Sequence, residues 1–333
     1  QTCALPIYVC TFIKESKREE YNGKKEFNKV GLTLFIREIL MFVSSIVAII
    51  IYIIWLIVKS GDFSETMLDS VLNNILVNPY ISIIPVMIGF IPVAVFIKNK
   101  MNINSILIEN RRISSRKILL YFILLLGVNS LCGLFSVGME SVLNMIGYTM
   151  KDSIDMMQNL NKPSMFIYVC IIGPIIEELT YRGMVLKYLK KFDKGFAVIS
   201  SGILFGFMHG NFEQIFMAIG VGIFLGYLAE EYSVKLTIIL HILNNTSSFM
   251  VDNFIDLLGR YNMPTDYIET GIIVLLIGIL IIVAFKNSKK IKYKISEYKP
   301  DKKQCIYFFT RFFIILILII NIFEAVQGIT AIG

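Results

Sequence analysis

The sequence is short of charge. Asp, Glu, Lys and Arg make up 17% of its 333 residues, against 56% hydrophobic residues and a mean hydropathy of +0.69. A soluble domain of this length carries more charge and shorter apolar runs. Cysteine is scarce and unpaired in pattern: Cys3, Cys10, Cys132, Cys170 and Cys305 are odd in number and form no CxxC. Neither a disulfide framework nor a cysteine zinc site is expected. Histidine occurs only as His209 and His241, and no HExxH is present, so the helical zinc-protease motif is missing. The chain opens on Gln-Thr-Cys-Ala-Leu-Pro-Ile and its first methionine is Met41. That opening resembles a translated sequencing-library adapter, so residues 1–8 are expected to be foreign and are set aside.

What the sequence does have is apolar length. Nine apolar segments stand out, at 39–58, 80–97, 118–137, 165–186, 195–209, 212–229, 235–251, 270–285 and 312–332. Several reach the roughly 20 residues a bilayer crossing needs. With the N-terminus inside and the segments alternating, 27 of the 32 Lys and Arg residues fall on the inner side and 4 on the outer. That asymmetry is the positive-inside pattern. It also accounts for the net charge of +7, which in a soluble protein would point to nucleic acid. No nucleic-acid partner is expected. High Ile, Lys and Asn usage suggests an AT-rich bacterial source.

The expected fold is all-α, a polytopic transmembrane helical bundle of about nine membrane helices with a catalytic core of four. The expected parts are a cytoplasmic N-terminal tail (1–38), accessory helices (39–164), the core (165–251) and C-terminal helices with a basic cytoplasmic loop (252–333). The expected location is the cell membrane, with the N-terminus cytoplasmic and the C-terminus extracytoplasmic. The core holds the polar groups and two small-xxx-small patterns, Gly202 to Gly206 and Gly222 to Gly226. Such patterns let membrane helices approach closely.

Charge at bilayer depth is costly and seldom idle. Three stretches concentrate it: Glu177-Glu178-Leu179-Thr180-Tyr181-Arg182, Phe205-Gly206-Phe207-Met208-His209, and His241-Ile242-Leu243-Asn244-Asn245. On a helix, Glu178 and Arg182 share a face and can pair. Glu177 is turned about 100° away. Phe205 can wall His209, and His241 shares a face with Asn245. Four groups remain free to converge: Glu177, His209, His241 and Asn245. A carboxylate with an imidazole can move a proton from water to a leaving amine. A second imidazole and an amide can donate to an oxyanion. The chemistry suggested is peptide hydrolysis by activated water.

EExxxR, FxxxH and HxxxN, in this order on successive membrane segments, resemble the CPBP intramembrane proteases. These include the CAAX prenyl endopeptidase and bacterial Abi-type relatives. The resemblance covers about residues 165–250. It implies that Glu177 and His209 activate water, that His241 and Asn245 form the oxyanion hole, and that Glu178 and Arg182 hold the architecture. It implies an endopeptidase cutting a membrane-proximal bond of a membrane-associated peptide or protein, in bacteriocin or peptide maturation or self-immunity. A non-catalytic immunity or scaffolding protein on the same fold is the alternative. No cofactor is required on this reading. The alternative is a divalent metal such as zinc on Glu177, His209 and His241, which would leave one position for water. Glu324 is expected to be a packing or outer-interface residue. One tension remains: at about 1.5 Å per residue, His209 comes out several ångströms nearer the outer face than Glu177 and His241.

Overall fold

The computed structural model of the chain describes residues 4–60, 78–150 and 163–332. Almost all of them are helical. In chain order the helices are α1 (Ala4–Ser60), α2 (Pro79–Lys100), α3 (Ser115–Met145), α4 (Pro163–Leu189), α5 (Lys194–Phe207), α6 (Phe212–Glu231) and α7 (Val234–Arg260). They continue with α8 (Thr265–Lys286), α9 (Ser288–Glu297), α10 (Lys302–Phe309) and α11 (Phe312–Gln327). Polar caps set the tight turns of the middle region. Asp193 accepts from Phe196 N at the start of α5, Asn211 from Gln214 N at α6, and Ser233 from Leu236 N at α7. Each cap satisfies an amide that the first helical turn leaves unpaired.

Each of the nine apolar segments lies mainly on a helix, the fifth and ninth running past the ends of α5 and α11. Among the described residues, six helices are long and apolar enough to cross a membrane. A seventh appears if α10 and α11, bent by 73°, form one broken span. The remaining two are α5 and α7. Helix α5 has 14 residues, so it extends about 21 Å, less than the roughly 30 Å hydrocarbon core. Helix α7 has length enough, but the run from Asn244 to Ser248 is wholly polar and lowers its hydropathy.

The first helix departs from the expected boundary. It does not start near residue 39 but runs unbroken from Ala4, and the stretch from Phe27 to Arg37 is packed. Phe27, Val30, Leu34 and Arg37 are buried. Phe27 meets the rings of Phe192, Phe196 and Phe308. No proline interrupts residues 7–60, and the aromatic contacts supply the burial that keeps residues 23–38 helical.

The ends of the bundle sort as the charge pattern requires. Lys191 pairs with Glu26 at 3.4 Å, Lys190 with Glu230 at 3.2 Å, Lys294 with Glu231 at 2.6 Å, and Lys194 with Glu297. Asn110 Nδ2 donates to the Glu230 carbonyl at 2.7 Å. All five segments expected inside therefore share one end. At the other end Tyr148–Thr149 and Thr330–Ala331 form a short antiparallel ribbon, and Ser136 Oγ donates to the Glu213 carbonyl. Helices α5 and α6 cross at their glycines: a methyl placed on Gly202 would lie 2.6 Å from Ile223 Cγ1 and 2.8 Å from Ile223 N.

Candidate active site

The glutamate pair sits where α4 changes its winding. The helix is π-wound over Tyr168–Ile172, α-wound over Gly173–Glu178 and π-wound again over Leu179–Leu186. Such local π turns favour functional positions. In the first π stretch the Gly173 amide donates to the Tyr168 carbonyl, five residues back. The next donor in that register would be residue 174, but Pro174 has no N–H. The Val169 carbonyl is left open, and Asn245 Nδ2 fills it from α7 at 2.9 Å. Asn245 Oδ1 in turn accepts from Asn244 Nδ2 at 3.3 Å. One proline thus fixes the orientation of an amide 71 positions later.

Glu178 and Arg182 are both fully buried and pair at 2.9 Å. Arg182 Nη2 also donates to the Gly222 carbonyl at 3.0 Å, and its guanidinium lies 4.2 Å from the centre of the Phe205 ring. Side-chain-free backbone at Gly222 lets α6 come close enough for that bond. Glu178 also meets Thr237 and His241, whose Nδ1 stands 3.0 Å from Glu178 Oε1. A chain of contacts therefore runs from Gly222 through Arg182 and Glu178 to His241. Breaking a buried pair leaves an uncompensated charge, a cost of about 3–5 kcal/mol.

Glu177 is placed differently. Its side chain keeps 21% of its surface, and its Oε2 lies 3.7 Å from His241 Nε2. His241 thus stands between two carboxylates. Because a carboxylate only accepts, Nδ1 carries a proton toward Glu178, and Nε2 is a donor as well when the ring is doubly protonated. His209 uses Nδ1 on the Phe205 carbonyl at 2.9 Å, which leaves Nε2 free. The Phe205 ring joins the two histidines edge-on, 5.1 Å from His209 and 5.6 Å from His241. His209 is also within electrostatic range of Glu177 and His241. Against the depth tension, α5 ends at Phe207 and His209 lies in the turn just beyond it, where the Phe205 ring joins it to His241.

The structure packs His209 and His241 against Phe205 and sets Glu177 beside His241. Asn245 is held on Val169 and Asn244. Glu178 and Arg182 form the buried pair behind. Among the described residues, no three His, Cys, Asp or Glu side chains are grouped closely enough to hold a metal ion. His241 directs its two nitrogens at separate glutamates, a different arrangement from three ligands around one point.

Three contributors were not legible as site residues. Arg37 of α1 is 2% exposed, pairs with Glu38, and has electrostatic contact with Tyr181 and Glu177. It reads in sequence as one more basic residue ahead of the first span. From Glu26 at the end where the basic segments meet, it lies about 16 Å along the helix, within electrostatic range of Glu177. Pro174 and Gly222 act through backbone alone. Glu324 of α11 comes up against the turn after His209: a methyl placed on Gly210, whose φ is +60°, would lie 2.8 Å from Glu324 Oε2.

Residues 159–247 match the family model described as type II CAAX prenyl endopeptidase, Rce1-like. No curated protein and no solved structure matches the chain.

Proposed function

We propose that the chain, a multi-pass membrane protein whose residues 159–247 match the CAAX prenyl endopeptidase model, is an intramembrane endopeptidase of the CPBP type that uses Glu177 and His209 to activate water. The observation that carries the reading is the division of labour between adjacent glutamates. Glu178 is sealed in an ion pair, while Glu177 is partly open beside His241.

In the proposed reaction Glu177 takes a proton from water as the oxygen adds to the scissile carbonyl. His209, whose free Nε2 accepts a hydrogen bond, orients that water, and Glu177 passes the proton it took on to the leaving amine. The oxyanion receives hydrogen bonds from His241 Nε2 in its doubly protonated form and from the second N–H of Asn245. Glu178 holds the imidazole in place from behind. This sequence needs no metal. The substrate class is a membrane-proximal segment of a membrane-associated peptide or protein. The proposed setting is peptide maturation or bacteriocin self-immunity, after the bacterial relatives that the motifs resemble. Helices α4–α7 are read as the core. The shared end of the five basic segments is read as the cytoplasmic end, so the N-terminus is inside and the C-terminus outside.

The test is cleavage of membrane-anchored reporter peptides by purified full-length protein. Glu177→Ala and His209→Ala are run beside wild type, with and without a chelator. Loss in both variants with wild-type activity kept in chelator supports the mechanism. Loss in chelator with recovery on adding a divalent ion overturns its metal-free form. Biological protection that survives both substitutions favours a non-catalytic protein.

A further inference from the structure

Away from the glutamates, at the inner end of the bundle, a cleft of about 650 Å³ opens between α3, α6 and α8 under α9. That is within the roughly 300–1,000 Å³ of ordinary ligand sites. Its wall is hydrocarbon and aromatic, including Leu124, Val128, Ile223, Phe224, Leu280 and Ala284. Its rim is basic, formed by Lys290 and Lys294 of α9 and by Lys299 just after it. Helix α9 is amphipathic: Ile291 and Ile295, four apart, face the cleft. A basic amphipathic helix of this kind lies in the membrane interface.

The three lysines are not equivalent. Lys294 is neutralised by Glu231 at 2.6 Å and Glu297 at 2.9 Å. Lys290 and Lys299 are exposed and make no side-chain ion pair among the described residues. The cleft thus joins an apolar slot at acyl-chain depth to two uncompensated cations at headgroup depth. That combination matches a molecule with a long hydrocarbon chain and one anionic end. A zwitterionic headgroup would bring its own cation against the lysines.

We infer that this cleft binds one anionic phospholipid, with an acyl chain along α3, α6 and α8 and its phosphate at Lys290 and Lys299. Nothing in the inference depends on the protease chemistry.

Native mass spectrometry of the full chain in detergent tests it, with phosphatidylglycerol and phosphatidylcholine of equal chain length as probes. The expected result is one retained phosphatidylglycerol, favoured about tenfold over phosphatidylcholine. The Lys290→Ala/Lys299→Ala double variant is expected to lose that preference. Ala284→Phe, which fills the slot, is expected to lose retention of either lipid. Unfolding temperatures measured without added lipid separate these effects from misfolding. Equal retention of the two lipids by wild type, or an unchanged preference in the double variant, overturns the inference. Displacement by millimolar inorganic phosphate overturns it in favour of a phosphate site. Displacement by a neutral isoprenoid chain, indifferent to the lysines, overturns it in favour of a substrate-chain site.

Discussion

His241 Nδ1 meets Glu178 Oε1 at 3.0 Å, joining two helices across 63 positions of sequence. On the proposed mechanism the contact makes one glutamate of the adjacent pair structural and leaves its neighbour for chemistry. The two are therefore expected to fail in different ways. Glu177→Ala removes a partly exposed carboxylate and is expected to cut peptide cleavage about 10²–10⁴-fold, with little change in unfolding temperature. Glu178→Ala strands Arg182 in the core and is expected to cost about 3–5 kcal/mol. Thermal unfolding and cleavage measured on both variants check this. Equal loss of stability in the two would sink the division of labour.

A proline creates the seat of Asn245. Pro174→Ala supplies an N–H in the register that reaches the Val169 carbonyl, so the backbone competes with Asn245 Nδ2 for it. Alanine also has the better helix propensity. The expected variant is at least as stable as wild type yet roughly tenfold slower, less than the 10²–10³ typical of deleting an oxyanion donor. Asn245→Ala gives the reference for full loss. If Pro174→Ala keeps the wild-type rate, the carbonyl does not orient the amide.

The close crossing of α5 and α6 yields a stability prediction with an internal control. Gly202→Leu drives a side chain into Ile223 and its backbone nitrogen, and is expected to cost at least about 1–3 kcal/mol. Gly278 has no heavy atom within 4 Å of an added methyl. Gly278→Ala is therefore expected to be neutral or slightly stabilising. Unfolding of the two variants in detergent decides the point.

Much of this site was legible because so few residues could form it. Two histidines and a few intramembrane charges leave little choice, and helical spacing already pairs Glu178 with Arg182. Helix positions were legible for the same reason, since apolar runs mark them. Other features depend on information that a periodic pattern does not carry. Arg37 reads as an interfacial charge because its partners lie on other helices. The length of α5 depends on the Asp193 cap and on the turn after Phe207. The polar residues that make α7 interesting are the same ones that weaken it as an apolar span. The Val169–Asn245 bond requires knowing that α4 is π-wound, and nothing in the hydropathy of residues 168–172 announces it.

The last prediction concerns how α9 is held against the bundle. Lys294 bonds Glu231 and Glu297, and Lys194 bonds Glu297 from the start of α5. The hydrogen bonds from these two lysines hold the Glu297 carboxyl below its ordinary value of 4.5. A carboxyl lowered in the folded state stabilises above its unfolded value, and that contribution is lost as pH falls through the lowered one. The Lys294 ammonium moves the other way, raised by its two carboxylate partners, so its contribution persists until strongly alkaline pH. The docking of α9 is therefore expected to be constant through neutrality and to weaken below about pH 4.5, as pH falls toward and through the lowered value of Glu297. Hydrogen exchange of residues 288–299 as a function of pH is the measurement. Wild type is expected to exchange faster on acidification, while Glu297→Gln exchanges faster at pH 7 and changes less on acidification. Exchange that rises identically in both proteins would mean that another group releases the helix.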